Sequence, residues 1–163
     1  MKLIKFFLGA AFVVSVQVNA ASFNLDGKII ESDTVEEIVD CGSYKVRLKS
    51  EQFPYKYEME IPEEYKIEGF YGSSAIVEKS AFIFPGGTRV LSPSEIKSLK
   101  SLYPLDRTYL PTSAVCKGST LIVSYWSGGN CKECEAFLQF EVVDGKPTNA
   151  KKVHYGQVQV LKN

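Results

Sequence analysis

The sequence predicts a mainly β protein, a small antiparallel sandwich, curved sheet or barrel that is cross-linked by disulfides and contains one short helix. Two observations lead to this prediction. Short runs rich in β-branched and aromatic residues recur along the chain and are separated by turn residues, among them Asp26-Gly27 and Asp144-Gly145. Only one segment has a convincing helical pattern, and a single helix cannot alternate with strands to build a doubly wound fold.

Residues 1–20 have the pattern of a signal peptide. Two lysines precede an apolar run from Phe6 to Val18, and small residues that end at Ala20 suit cleavage before Ala21. The run is shorter than the roughly 20 residues that a helix needs to cross a bilayer. No cysteine adjoins the cleavage position to carry a lipid. We therefore expect one mature domain, residues 21–163, that is periplasmic or secreted and has no stable membrane anchor.

The charge balance argues against nucleic acid as a partner. Loss of Lys2 and Lys5 with the signal peptide leaves 17 of the 19 basic residues against 19 acidic residues, a net charge of −2. Binding to nucleic acid depends mainly on clustered Lys and Arg side chains, and the sequence contains no such cluster. We therefore expect a partner of another class.

The four cysteines predict two disulfides, because an exported protein folds in an oxidising compartment. Cys116 precedes a strand predicted to begin near Thr120, whereas Cys131 and Cys134 follow the far end of that strand. Eight strand residues span roughly 26 Å, and a disulfide requires Cα atoms within about 7 Å of each other. The predicted pairs are therefore Cys131 with Cys134 and Cys41 with Cys116.

The first half of the mature chain contains a series of predicted strands. Two of them alternate apolar and charged residues with a period of two, and their charged faces have opposite sign, so we expect these two to pair. They are Ser43 to Lys49 and Tyr55 to Ile61. The other predicted strand segments are Ser22 to Ile30, Thr34 to Asp40 and Ala75 to Phe84.

The predicted helix covers about residues 93–103. Ser92 fits the N-cap of a capping box, with Pro93 at the first helical position and Glu95 at the third. The apolar residues that follow recur at helical spacing, and Pro104 ends the pattern. We expect this helix to cover one end of a sheet.

The second half of the chain is organised around a hairpin from Thr120 to Val143. Two runs of strand-forming residues flank a Gly-Gly-Asn turn and a Cys-x-x-Cys sequence. A further strand is predicted from Lys151 to Val160, and the only histidine, His154, lies on its solvent-exposed face.

The Cys-x-x-Cys sequence has two interpretations. Its spacing is that of thiol–disulfide exchange centres, in which a helix N-terminus stabilises the reactive thiolate. Here the residues after Cys134 alternate as a strand, and Glu133 and Glu135 raise a neighbouring thiol pKa. These features favour a structural disulfide that closes the loop, and thiol–disulfide exchange is kept as the alternative function. A zinc site is not predicted, because no second cysteine pair and no nearby histidine complete a four-ligand set.

No catalytic constellation is predicted. A Ser-His or Cys-His pair would have to use His154, the only histidine, which is predicted to be exposed. Ser127 is flanked by Trp126 and Gly128, but it is not in the strand-to-helix turn that exposes a hydrolase nucleophile. The sequence therefore predicts a protein that is not an enzyme and needs neither metal nor cofactor.

The predicted functional surface is the hairpin tip, residues 125–135. Tyr125 or Trp126 is the expected anchor, since aromatic side chains bury much area for few lost rotamers. The opposite interpretation, that Trp126 belongs to the core, is also open. The predicted polar neighbours are Ser127, Asn130 and Glu133.

In size, export signal and lack of catalytic groups, the chain resembles the small periplasmic proteins that block cell-wall hydrolases, including type VI secretion immunity proteins and lysozyme inhibitors. The likeness is one of layout across the mature chain, with no family motif matched residue by residue, so it carries over no functional residues. It implies a binding or inhibitor protein whose partner is a toxin or a cell-wall hydrolase. A structural role in envelope assembly is a third hypothesis.

Overall fold

The structure is a computed structural model that describes residues 20–66, 77–103, 108–128, 131 and 134–162. The described strands form three antiparallel sheets, in the orders β1-β2, β3-β4-β5 and β6-β7-β8-β9, and they close no barrel. The strands are β1 Ser22–Leu25, β2 Lys28–Glu31, β3 Asp33–Asp40, β4 Lys45–Gln52, β5 Val77–Ile83, β6 Leu110–Lys117, β7 Thr120–Trp126, β8 Glu135–Val143 and β9 Lys146–Lys152; the helices are α1 Tyr155–Lys162 and the 3-10 helices Tyr55–Tyr57, Glu63–Tyr65 and Lys100–Leu102. The mainly β prediction is confirmed.

The two-stranded sheet is a tight hairpin. Asp26 and Gly27 form its turn with φ angles of 49° and 81°, the left-handed conformation that glycine adopts without strain. The hairpin covers a small apolar cluster made of Phe23, Ile30, Phe53 and Ile61. The predicted strand from Tyr55 to Ile61 is therefore wrong: this segment forms a 3-10 helix and turns that bring Ile61 onto the cluster.

The three-stranded sheet differs from the predicted pairing. β4 lies in the centre and pairs with β3 on one side and β5 on the other, instead of with residues 55–61. Acidic residues of β3 lie opposite basic residues of β4, as in the pairs Asp40 with Lys45 and Glu36 with Lys49. β4 therefore pairs with a strand of opposite charge, as predicted, but that strand is the one predicted at Thr34 to Asp40.

The four-stranded sheet contains the predicted central hairpin, in which β7 pairs with β8 so that Val123 lies opposite Leu138. β6 was not predicted and pairs with β7 on its other side. Its residues alternate poorly and include Pro111, next to which the register shifts.

The main core lies between the three-stranded and four-stranded sheets. Its buried members come from β4, β5, β7 and β8 and from the connection between β5 and β6. They are Val46, Phe82, Phe84, Val90, Leu99, Tyr103, Tyr109, Leu121, Val123, Tyr125, Ala136, Leu138, Phe140 and Val142. Two packed sheets around one core place the protein in the sandwich-like group of the predicted folds.

The opposite face of the four-stranded sheet is covered by α1. Val158 and Leu161 of the helix pack with Val153 against Ile122 and Phe137. The predicted strand from Lys151 to Val160 is wrong after Lys152, where β9 ends. The following residues form α1 instead, because apolar residues three positions apart lie on the buried face of a helix. The side chain of Gln157 accepts a hydrogen bond from the His154 N–H at 3.2 Å and fixes the helix start.

The predicted helix at 93–103 is also wrong. The chain makes successive three-residue turns, in which Glu95 N–H bonds Ser92 O and Leu99 N–H bonds Ile96 O, before the short 3-10 helix. Half of the capping box forms, since the Glu95 carboxylate accepts the Ser92 N–H at 2.8 Å. A helix of this length is marginal by itself, and burial of Leu99 in the core sets the path instead.

The predicted signal peptide lies almost wholly in residues 1–19, outside the described part of the chain. Within the described ranges, no helix is long and apolar enough to cross a membrane.

Candidate partner-binding tip

Both predicted disulfides are confirmed. Cys41 and Cys116 join the end of β3 to β6, with Cα atoms 5.6 Å apart. Cys131 and Cys134 close the loop between β7 and β8, with Cα atoms 5.1 Å apart. The reason is the one used for the prediction: β7 separates Cys116 from the two loop cysteines. Disulfides of this kind indicate an oxidising compartment.

The tip is held by backbone hydrogen bonds as well as by the disulfide. Ser127 N–H donates to Cys134 O at 2.9 Å, and Cys134 N–H donates to Cys131 O at 3.1 Å. Cys131 N–H points at the Cys134 sulfur at 3.3 Å. The described part of the loop therefore continues the hairpin ladder into a compact turn.

Tyr125 lies in the interior, contrary to its predicted role as an exposed anchor. Its side chain is 2% exposed and belongs to the main core, because alternate residues of β7 face the three-stranded sheet. The hydroxyl donates to Leu91 O at 2.8 Å, and burial raises the pKa of this phenol. Tyr125 therefore packs below the tip and presents almost no surface to solvent.

Ser127 is also buried, with 1% of its surface exposed. Its hydroxyl donates to Cys134 O at 3.3 Å. Its hydroxyl is thus used inside the loop and is not presented at the surface of the tip.

Trp126 has the position that best matches the prediction. It is half-buried and points to the face of the sheet that carries α1, opposite to Tyr125. On that face it lies opposite Leu110 of β6 and Glu135 of β8. The apolar cluster under α1 includes Ile122 but does not extend to Trp126, so the indole lies at the tip end of the face. Asn130 and Glu133, the other predicted contacts, lie outside the described residues.

A turn at residues 89–95, where the sequence predicts the start of a helix, is bonded to Tyr125 next to the tip. Arg89 forms a two-pronged ion pair with Glu95, in which one hydrogen bond measures 2.8 Å. The Arg89 guanidinium lowers the pKa of Glu95 from 4.5 to about 2. This ion pair closes the turn that presents Leu91 O to the Tyr125 hydroxyl. The sequence signal for this ion pair is a basic residue, Arg89, that lies three positions before the capping-box sequence at Ser92.

The surroundings of the cysteine pair differ from those of a thiol–disulfide exchange centre. β8 begins at Glu135, directly after Cys134, so a strand stands where such a centre has a helix. Cys134 is buried, with 3% of its surface exposed, and Cys131 is half-buried.

A second concave surface lies on the outer face of the three-stranded sheet. A hollow of about 330 Å³ is lined by Ile38, Ile83, Pro85, Lys45 and Arg47, among others. Lys45 pairs with Asp40 at 3.1 Å, and Arg47 lies 3.8 Å from Glu36. Both cations of the hollow thus have an acidic neighbour, and we assign the hollow no ligand. His154 is exposed, and the described residues contain no group of three or more side chains suited to hold a metal ion.

Comparison of the chain with protein-family models, curated proteins and solved structures finds no match in any of the three. The fold and the tip therefore define a class only in structural terms, a disulfide-linked two-sheet β protein with a closed hairpin loop.

Proposed function

We propose that this is an exported binding protein that recognises or inhibits another protein through its disulfide-closed tip. An immunity protein against a cell-wall-targeting toxin, or an inhibitor of a cell-wall hydrolase, is its most specific form. The observation that carries the proposal is the half-buried Trp126 at the end of a loop held by Cys131–Cys134 and by backbone hydrogen bonds. A preorganised loop loses little entropy on binding, and tryptophan is the most frequent interface anchor.

The experiment uses the mature protein, residues 21–163, against a panel of purified peptidoglycan hydrolases. Inhibition is measured as slower clearing of a peptidoglycan suspension, and the affinity for any inhibited enzyme follows by calorimetry. Trp126→Ala is expected to weaken that affinity by over about tenfold, since truncation of a buried anchor typically costs more than about 2 kcal/mol.

Tyr55→Ala is the matched control. Tyr55 is also aromatic and is 65% exposed, but it lies on a 3-10 helix away from the tip. Thermal melts of both variants separate lost binding from lost folding. Equal affinities of the parent, Trp126→Ala and Tyr55→Ala proteins for an inhibited hydrolase would exclude the tip as the contact surface.

Thiol–disulfide exchange by Cys131 and Cys134 is the alternative function. The strand after Cys134 gives it less support than a helix would, so we expect a reduction potential near or below about −300 mV, the range of structural disulfides. Equilibration in graded thiol buffers, followed by thiol alkylation and mass spectrometry, measures it. A potential near that of dedicated oxidoreductases, together with insulin reduction at a comparable rate, would establish the alternative instead.

A further inference from the structure

The first described strand, β1, begins at Ser22, one residue after the predicted start of the mature chain. The ladder between β1 and β2 pairs Ser22 with Glu31, and it continues one step further, since Ser32 N–H donates to Ala21 O at 2.8 Å. Ala21 is half-buried against the apolar cluster of Phe23 and Ile30, whereas Ala20 is exposed. Among the described residues, contact with this cluster begins at Ala21.

The nitrogen of Ala21 faces a buried carboxylate. Ala21 N donates to Glu51 Oε1 at 3.0 Å, and the Ser32 hydroxyl donates to the same oxygen at 2.7 Å. Glu51 is 9% exposed and Ser32 is 7% exposed. A buried carboxylate is costly without strong donors, and an ammonium donor adds Coulombic attraction to the hydrogen bond that an amide already makes.

We propose that cleavage between Ala20 and Ala21 converts the Ala21 nitrogen into an α-ammonium group that forms an ion pair with Glu51. The hydrolysis consumes one water molecule, which leaves a carboxylate on Ala20 and an amine on Ala21 that takes up a proton. A neutral amide that donates one hydrogen bond thereby becomes a cation at the same place. Removal of the signal peptide thereby places a positive charge beside the Glu51 carboxylate and stabilises the domain.

The position of the cut matters for this site. Cleavage one residue later removes the donor that faces Glu51, and cleavage several residues earlier places the positive charge outside the ladder. Only an N-terminus at Ala21 puts the charge 3.0 Å from the carboxylate. The inference rests on export, which is part of the proposed function, but it does not depend on what the tip binds.

The first test is N-terminal sequencing and intact mass of the full chain, expressed with its own leader and recovered separately from the cytoplasm and the periplasm. We expect a single periplasmic species that begins at Ala21. A chain found only in the cytoplasm with Met1 retained overturns both export and this proposal, whereas an exported chain cut elsewhere, or not cut, overturns only this proposal.

The second test compares two purified proteins, one that begins at Ala21 and one that keeps Asn19 and Ala20 ahead of it. The α-amino pKa of the first, followed by NMR, is expected about one unit above the usual 7.7–8.0. Because the folded pKa is raised, the extra stability is present below about pH 8 and is lost as the pH rises through the folded value. At pH 6 the Ala21 protein should melt about 3 °C higher, and the two proteins should coincide near pH 10.

Glu51→Gln is the decisive variant. It keeps the size of the side chain and an oxygen for Ala21 and Ser32, but it has no charge, so the α-amino pKa should return to its usual range and the two proteins should melt together at pH 6. Ser32→Ala is the control, since it removes only the hydroxyl and should preserve the difference between the two proteins. An α-amino pKa that Glu51→Gln leaves unchanged would overturn the ion pair.

Discussion

The four-stranded sheet and the three-stranded sheet share one core but differ in how they are covered. The central strands β7 and β8 of the four-stranded sheet are covered on both faces, by the main core on one side and by α1 on the other. The three-stranded sheet is buried on one face only, and seven of the eight residues of its edge strand β3 are exposed. Stability therefore resides mainly in the four-stranded sheet, while β3 needs other protection.

β3 carries that protection in its own sequence. Val35 and Ile38 are 46% and 59% exposed on a strand that pairs on one side only among the described strands. An exposed edge with apolar residues invites pairing between copies of the chain. Glu36 and Glu37 lie between the two apolar residues, so two β3 edges placed side by side would bring acidic residues together.

The two disulfides give the largest expected difference between regions. Cys41–Cys116 closes a separation of 75 residues and ties the two sheets together, whereas Cys131–Cys134 closes one of 3 residues within a hairpin. On the chain-entropy relation, removal of the first by paired Cys→Ala substitutions costs about 4 kcal/mol, and removal of the second about 2 kcal/mol. Urea unfolding measures both. Equal losses would show that the sheets do not depend on the long cross-link.

Truncation of one apolar side chain in each sheet sharpens the comparison. Leu138 of β8 is fully buried, so Leu138→Ala should lower the free energy of unfolding by about 3 kcal/mol. Ile38→Ala on β3 should change it by less than about 0.5 kcal/mol, because more than half of that side chain already contacts solvent. A loss of more than about 1 kcal/mol from Ile38→Ala would contradict the exposure of this strand.

The same contrast explains what could be predicted from the sequence. β7 and β8 have a two-residue period along their length, with Leu138 and Phe140 on the buried face, so their pairing and the disulfide arrangement were predictable. The prediction of the disulfide pairs required only the length of β7, since this strand separates Cys116 from the two loop cysteines. Residues 55–61 also alternate, but a local apolar cluster pulls Ile61 inward and breaks the strand. The apolar residues between Lys151 and Val160 are compatible with a strand and with a helix. Packing against Ile122 favours the helix.

The candidate site was predictable in position but not in orientation. Sequence alone placed a closed loop next to two aromatic residues, but which of the two faces the core depends on the register of β7 against the core. That register puts Tyr125 inside and leaves Trp126 on the other face. Likewise, nothing in the sequence indicated that the nitrogen of Ala21 would face Glu51, 30 residues away.

The ion pair between Arg89 and Glu95 predicts an acid sensitivity of the connection below the tip. The pKa of Glu95 is lowered from 4.5 to about 2 in the folded protein, so the unfolded chain binds the proton more readily between these values. The stabilisation is present above about pH 4.5 and is lost as the pH falls towards 2. We expect about 1 kcal/mol, since partial exposure screens the pair. Urea unfolding at pH 3 and 6 should show a smaller difference in Glu95→Gln than in the parent, and an unchanged difference would contradict this role.

The smallest expected change in the free energy of unfolding concerns two buried tyrosines of the main core. Tyr103 is 6% exposed, its hydroxyl has no hydrogen-bond partner among the described residues, and burial raises its pKa to about 12. Tyr125 is equally buried, but its hydroxyl donates to Leu91 O. Tyr103→Phe removes an unsatisfied polar group and should leave stability unchanged or raise it by up to about 1 kcal/mol.

Tyr125→Phe is the matched control for Tyr103→Phe. The same atom is removed from the same core, but this change leaves the Leu91 carbonyl without its donor and should lower stability by about 1 kcal/mol. Urea unfolding should therefore show an unchanged or higher free energy of unfolding for Tyr103→Phe and a lower one for Tyr125→Phe, each relative to the parent. A loss of about 1 kcal/mol in Tyr103→Phe would contradict an unsatisfied hydroxyl at this position.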